Sequence, residues 1–148
     1  LLLGNVKKSL EILLRFLEPE EICVENLLSY PMEFIGPLVE ELGLSVCLDV
    51  GHLTVRGESL DDFLDRYGGR MREVHLHDVK KVRYGRFGSV HIDHHAVGQG
   101  ELPVEKVLRD LLAAGFSGPI VLETLHDSQM TSIARLKTLL QELGGGTR

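Results

Sequence analysis

Residues 74–100, VHLHDVKKVRYGRFGSVHIDHHAVGQG, collect five of the chain's seven histidines: His75, His77, His91, His94 and His95. Imidazole ligates divalent transition metals and carries protons near neutral pH. Elsewhere Glu25, Asp49 and Glu123 each close an apolar run: EICVE, LSVCLD and GPIVLE. An ionised carboxylate at such a place is costly alone. A shared divalent cation would offset that cost and keep all three charged. Mixed His, Asp and Glu ligands without thiolate suit Mn, Zn, Mg or Fe, with no choice among them. HExxH, CxxC and GxxxxGK[ST] are absent, which removes the zincin, zinc-ribbon and P-loop readings.

The elements that must position these groups follow from hydrophobic period. Leu3 to Leu17 has helical spacing and stops at Pro19, so residues 1–20 form a helix before the first strand. EICVEN is a first strand. PMEFIGPLVEELG is helical at least from Pro37, with Gly43 as its stop. LSVCLDVGH is a second strand, and ESLDDFLDRYGG a short helix with Ser59 as N-cap and Gly68 as stop. REVHLHD is a third strand. A long loop rich in Gly, His and Arg leads to the helix ELPVEKVLRDLLAAG, with Pro103 in its first turn and Gly115 after its end. GPIVLETL is a fourth strand. DSQMTSIARLKTLLQELGGG is a last helix capped by Asp127 or Ser128, and residues 144–148 are expected to be a disordered tail. Strands alternating with helices predict a parallel sheet covered by helices.

All four strands then deliver a metal-capable or acid/base group at the C-terminal end: Glu25, Asp49, His75 with His77, and Glu123. That edge is where parallel α/β folds build their sites. His77 shares strand parity with His75, so both can face inward at different depths. His94 and His95 are adjacent, so at most one faces the site. His91 reads as exposed loop, and His126 as a surface or outer group. The GQG before a helix has the form of an anion-holding turn; the plain alternative is a tight turn into Pro103.

The chain has 148 residues, enough for one unit with a real core, and ordinary proportions of apolar (43%) and charged (26%) residues. A net charge of −6 disfavours a nucleic-acid surface and leaves a small-molecule substrate. No apolar run would span a bilayer. Cys23 and Cys47 lie in apolar runs and read as buried, reduced packing residues, which suits the cytoplasm. The chain opens on LLLGNVKKSLEILLRFLEP without an initiating Met, so it is expected to begin partway through a larger protein.

VEN, CLDVGH, VHLHD, DHHAVGQGELP and GFSGPIVLET, in that order, resemble the xylose isomerase-like TIM barrels, also called the AP endonuclease family 2 superfamily. The resemblance implies that residues 1–148 are the C-terminal, four-stranded parallel half of a (β/α)8 TIM barrel. It carries metal ligation to Glu25, Asp49, His75 and Glu123, and assigns His52 a second metal or substrate orientation. Endonuclease-type members add a DxH motif, which Asp93-His94-His95 matches imperfectly. Counting back from Gly98 puts His94 at the histidine position; the roles of Asp93 and His95 stay open. A half-barrel leaves two open sheet edges, so self-association or pairing with an N-terminal half is expected.

Two chemistries fit. In one, metal-activated water hydrolyses a phosphodiester, with His52 and His94 completing a second metal position. In the other, Glu25 and Glu123 act as an acid/base pair in a sugar isomerase or epimerase. Epimerase members place a Glu and then an Arg after the metal histidine; here Asp78 takes the acidic place, with Lys80, Lys81 and Arg83 unaligned. The His-rich loop leans towards the diesterase. ENLLSYPMEF and LSVCLDVGH also resemble a cobamide-remodelling phosphodiesterase branch, which implies a corrinoid-type substrate. A third possibility is a fragment inactive for want of half its site.

Overall fold

A computed structural model describes residues 2–83 and 88–144. Strands β1 (Cys23–Glu25), β2 (Ser45–Asp49), β3 (Met71–Leu76), β4 (Asp78–Arg83), β5 (Ser89–His95) and β6 (Ile120–Leu122) alternate with helices α1 (Leu2–Leu13), α2 (Met32–Leu42), α3 (Val50–Arg56), α4 (Leu60–Tyr67), α5 (Val104–Ala113) and α6 (Gln129–Gly144). Four strands form one sheet in the order β1-β2-β3-β6, every neighbouring pair parallel. This is the four-stranded parallel sheet expected of half a TIM barrel.

The period of two divides that sheet by chemistry. Val46, Leu48, Val74 and Leu76 are buried in one core with Val39, Leu53, Phe63, Val107, Leu108 and Leu111 from the helices. Burying each such side chain contributes about 1.5–3 kcal/mol. The alternate positions face the other side: Glu25; Cys47 and Asp49; Glu73 and His75; Val121 and, just past β6, Glu123. The apolar face fixes register, because a one-residue slip would exchange the two sets.

Several boundaries differ from expectation. α1 ends at Leu13, short of the expected residue 20, while α2 runs from Met32 and carries Pro37 inside it, within the expectation of helix at least from Pro37. α3 was not expected: it follows β2 without a break, capped by Asp49, whose side chain accepts the His52 N–H. Ser59 caps α4 as anticipated, accepting from the Asp62 N–H. The long loop is in good part a β-hairpin, β4 antiparallel to β5. Cys47 is buried, but Cys23 is exposed, because β1 lies at the sheet edge. The tail beyond Gly144 and loop residues 84–87 lie outside the described residues.

Candidate metal centre

Each strand end brings its side chain to one place. Glu25, Asp49, His75 and Glu123 offer ligand atoms all within 4.8 Å of one another. The His75 Nδ1 lies 3.1 Å from Glu123 Oε1 and 3.5 Å from Glu25 Oε1. Two carboxylates at such separations repel by about 3 kcal/mol at an effective dielectric of about 20, and here there are three. Asp49 is wholly buried, and its Oδ2 has no hydrogen-bond partner. The His75 Nδ1 is likewise buried and unpartnered. Converging oxygens and one bare nitrogen, with two orphaned buried atoms, fit a divalent cation.

Local folding explains why these groups hold still. The buried Asn26 side chain clamps the backbone of Asp49: its amide donates to the Asp49 carbonyl (2.9 Å), and its oxygen accepts the Asp49 N–H (2.7 Å). That joins the ends of β1 and β2. Asp49 Oδ1 accepts the His52 N–H at 2.6 Å. Burial pushes the Asp49 carboxyl up, but the contact with His77 and the His52 N–H outweigh it and hold the group below its usual range.

A second group lies alongside. His52, His77 and His94 offer ring nitrogens within 4.8 Å of one another. The His52 Nδ1–H donates to the Asn26 carbonyl at 3.0 Å, which leaves Nε2 bare. His52 Nδ1 also lies 3.4 Å from Glu25 Oε1, and His94 Nε2 3.6 Å from Glu123 Oε2, so this group touches both flanking carboxylates. His94 holds the left-handed conformation at φ 59°, and its Nδ1 is 3.0 Å from Asp93. Burial opposes ionisation of Asp93, but His94 outweighs it and lowers the carboxyl's titration.

His77, expected to face inward at a different depth from His75, is fully buried. Its ring stacks on His94 at 4.3 Å, accepts the His94 N–H at 2.9 Å, and sits 3.2 Å from Asp49 Oδ1. It fills the space that a side chain at Gly51 would occupy: a Cβ there would stand 1.9 Å from the His77 ring. His91 is exposed, and the buried His95 Nε2 has no partner. The His126 side chain lies outside the described residues.

The GQG turn does hold an anion, and that anion is the chain's own Asp78. The buried carboxylate accepts the N–H groups of Val79, Gly98, Gly100 and Leu102 at 2.8–2.9 Å. Asp78 therefore ties the chain after β5 to the start of β4 as a structural acceptor. Lys80 and Arg83 stand exposed on β4.

Asn26 was the support that sequence reasoning passed over, visible only as the neighbour of Glu25. Asp78 was noticed only as the residue in the acidic place of an epimerase pattern, and its structural task was missed.

Comparison with known proteins agrees with this geometry. The family model described as xylose isomerase-like TIM barrel matches residues 3–143. Over 103 residues the chain is 30% identical to "Probable endonuclease 4" of Mycobacterium leprae (strain Br4923), covering 68% of this chain and 38% of that protein. The protein of the same name from Mycobacterium tuberculosis (strain CDC 1551 / Oshkosh) is 29% identical over the same shares. The chain thus spans 38% of the length of these relatives. A solved xylose isomerase domain protein from Planctomyces limnophilus superposes with a TM-score of 0.63 at 17% identity, over 82% of this chain and 45% of that one, which speaks for the fold alone. With nearly its whole length matched and its sheet and polar strand ends arranged as described, the chain belongs to the xylose isomerase-like TIM barrel family.

Proposed function

We propose that the protein is a divalent-metal-dependent phosphodiesterase acting on a small substrate, and that it works in a reducing, cytoplasmic compartment suited to its two free thiols. One observation carries the reaction class: His52 and His94 lie directly against the carboxylates that flank the centre. A proton-transfer pair for sugar isomerisation needs Glu25 and Glu123 free to face the substrate. Here each is engaged by an imidazole. The relatives named probable endonuclease 4 support phosphate-ester chemistry.

In this reading Glu25, Asp49, His75 and Glu123 hold the cation. A bound divalent cation supplies Lewis acidity, lowering the pKa of a ligated water and offsetting charge at phosphorus. His52 presents its bare Nε2 to the second position, and His94 reaches the same place from β5. The proton released by the attacking water passes to solvent at the partly exposed rim of the centre, where Glu25 and Glu123 serve as ligands. The net charge of −6 supports a small diester over duplex DNA. The resemblance of ENLLSYPMEF and LSVCLDVGH to the cobamide-remodelling branch makes a corrinoid nucleotide loop the first substrate to try.

The test is hydrolysis of bis-p-nitrophenyl phosphate and of a cobamide, with abasic duplex DNA and a ketose as competing substrates, before and after chelation. Metal-restored diester hydrolysis that falls in His52→Ala and His94→Ala is expected. Epimerisation of the ketose without diester hydrolysis would replace this reading with the Glu25–Glu123 proton-transfer pair.

A further inference from the structure

We infer that Glu73 is a positioning residue: its carboxylate takes the Nε2 proton of His75 and so turns a bare Nδ1 towards Glu25, Asp49 and Glu123. This rests on the reading of those groups as a metal centre. Glu73 and His75 lie two apart on β3 and share a face, with Glu73 one row deeper, where it pairs across the sheet with Cys47. The Nε2 of His75 stands 2.9 Å from Glu73 Oε1 in hydrogen-bonding geometry. The Nδ1, 3.1 Å from Glu123, meets no hydrogen-bonding geometry at all. A carboxylate can only accept, so the ring proton sits on Nε2 and the lone pair on Nδ1 faces the centre.

The neighbours leave Glu73 this one task. Among the described residues its ion pair is with His75. Cys47 is buried, and burial, then the Glu73 charge, pushes its thiol up. Carboxylate–histidine–metal arrangements of this kind fix the tautomer and raise ligand basicity.

The experiment is nitrogen-15 NMR of histidine-labelled protein at about pH 8.5, where the ring is neutral, metal-free and titrated with Zn2+, read at His75. The wild type is expected to show the Nε2-protonated tautomer and Zn2+ binding at Nδ1. Glu73→Ala is expected to mix the tautomers and weaken Zn2+ binding about 10–100-fold. Glu73→Gln, whose carbonyl still accepts the Nε2 proton, should restore the tautomer and most of the affinity. Glu123→Ala should lose Zn2+ while keeping the wild-type tautomer. Wild-type tautomer and affinity in Glu73→Ala, with Zn2+ still lost in Glu123→Ala, would overturn the role of Glu73 and leave the centre standing. A folded Glu73→Gln no better than Glu73→Ala would overturn it too. No Zn2+ at His75 in the wild type would overturn centre and role together. Should Glu73→Ala unfold, Glu73→Met fills the same space without an acceptor and decides by the same readings.

Discussion

At the residue scale the centre is a set of charges waiting for a counter-charge, and its titration behaviour has a definite sign. Burial draws the His75 imidazolium down, but the Glu73 hydrogen bond and the charges of Glu123 and Glu25 outweigh it, so its pKa is raised. His77 is raised in the same way, with Asp49 overcoming its burial. Both folded values exceed the unfolded value of about 6.5, so their stabilisation is complete below about 6.5 and is lost as pH rises through the raised values. A protonated imidazole thus plays the cation's part in the metal-free protein. Metal binding needs the neutral ring, so the dependence reverses once metal is present. Thermal unfolding in EDTA should therefore show a lower Tm at about pH 8.5 than at about pH 6, and the shift produced by Mn2+ or Zn2+ should grow over that interval. An EDTA profile rising with pH would contradict this account. The buried Asp49 gives a companion prediction. Asp49→Asn removes a charged ligand yet keeps an oxygen to accept the His52 N–H, so metal content should fall while secondary structure by circular dichroism persists. Unchanged metal content would exclude Asp49 from the centre.

At the element scale the same carboxylate type does another job. Asp78 binds four backbone N–H groups, from Val79, Gly98, Gly100 and Leu102. Each donor left unsatisfied costs about 1–3 kcal/mol, so Asp78→Ala should destabilise by more than about 3 kcal/mol. Urea unfolding, with hydrogen exchange at Gly98, Gly100 and Leu102, measures this; protection retained there would refute it. Gly100→Ala should do comparable harm, because its Cβ would stand 2.3 Å from both Asp78 Oδ1 and the Val79 carbonyl. The contrast shows what a sequence reveals. β2 and β3 were legible because apolar and inward-facing residues alternate, and Glu25, Asp49, His75 and Glu123 were legible because each ends such a run. α3 was hidden because it starts at Val50 directly after β2 and has only seven residues, too few for a helical period to show. The β4–β5 hairpin was hidden because Lys80 and Lys81 stand consecutively and its outer face is exposed, which erases the period of two. The tasks of Asp78, Asn26 and His77 could not be read at all, because most of their partners lie 17 to 28 residues away and no spacing rule connects them.

At the scale of the whole molecule, helices cover one face of the sheet and the carboxylates occupy the other. Among the described residues no strand pairs with the outer side of β1 or β6. The uncovered face carries Val121, at 39% exposure, beside partly exposed Glu25, Glu73 and Glu123. Unpaired parallel edges and a half-open inner face invite a second sheet, whether from another copy of this chain or from further strands of the same fold. Electrostatics then sets the condition for closure. Bringing two such faces together places three ligand carboxylates and Glu73 against their like, in a space drier than either had alone, where repulsion grows. A divalent cation at each centre removes most of that charge. The 148-residue chain is therefore expected to self-associate, and to do so more strongly with Mn2+ or Zn2+ than in EDTA. Light scattering across a concentration series in both conditions tests this. A monomer throughout would count against pairing of the open face. Equal association with and without metal would mean that contact runs through the exposed apolar side chains, such as Phe16, Leu125 and Met130, instead of through the face that holds the centre.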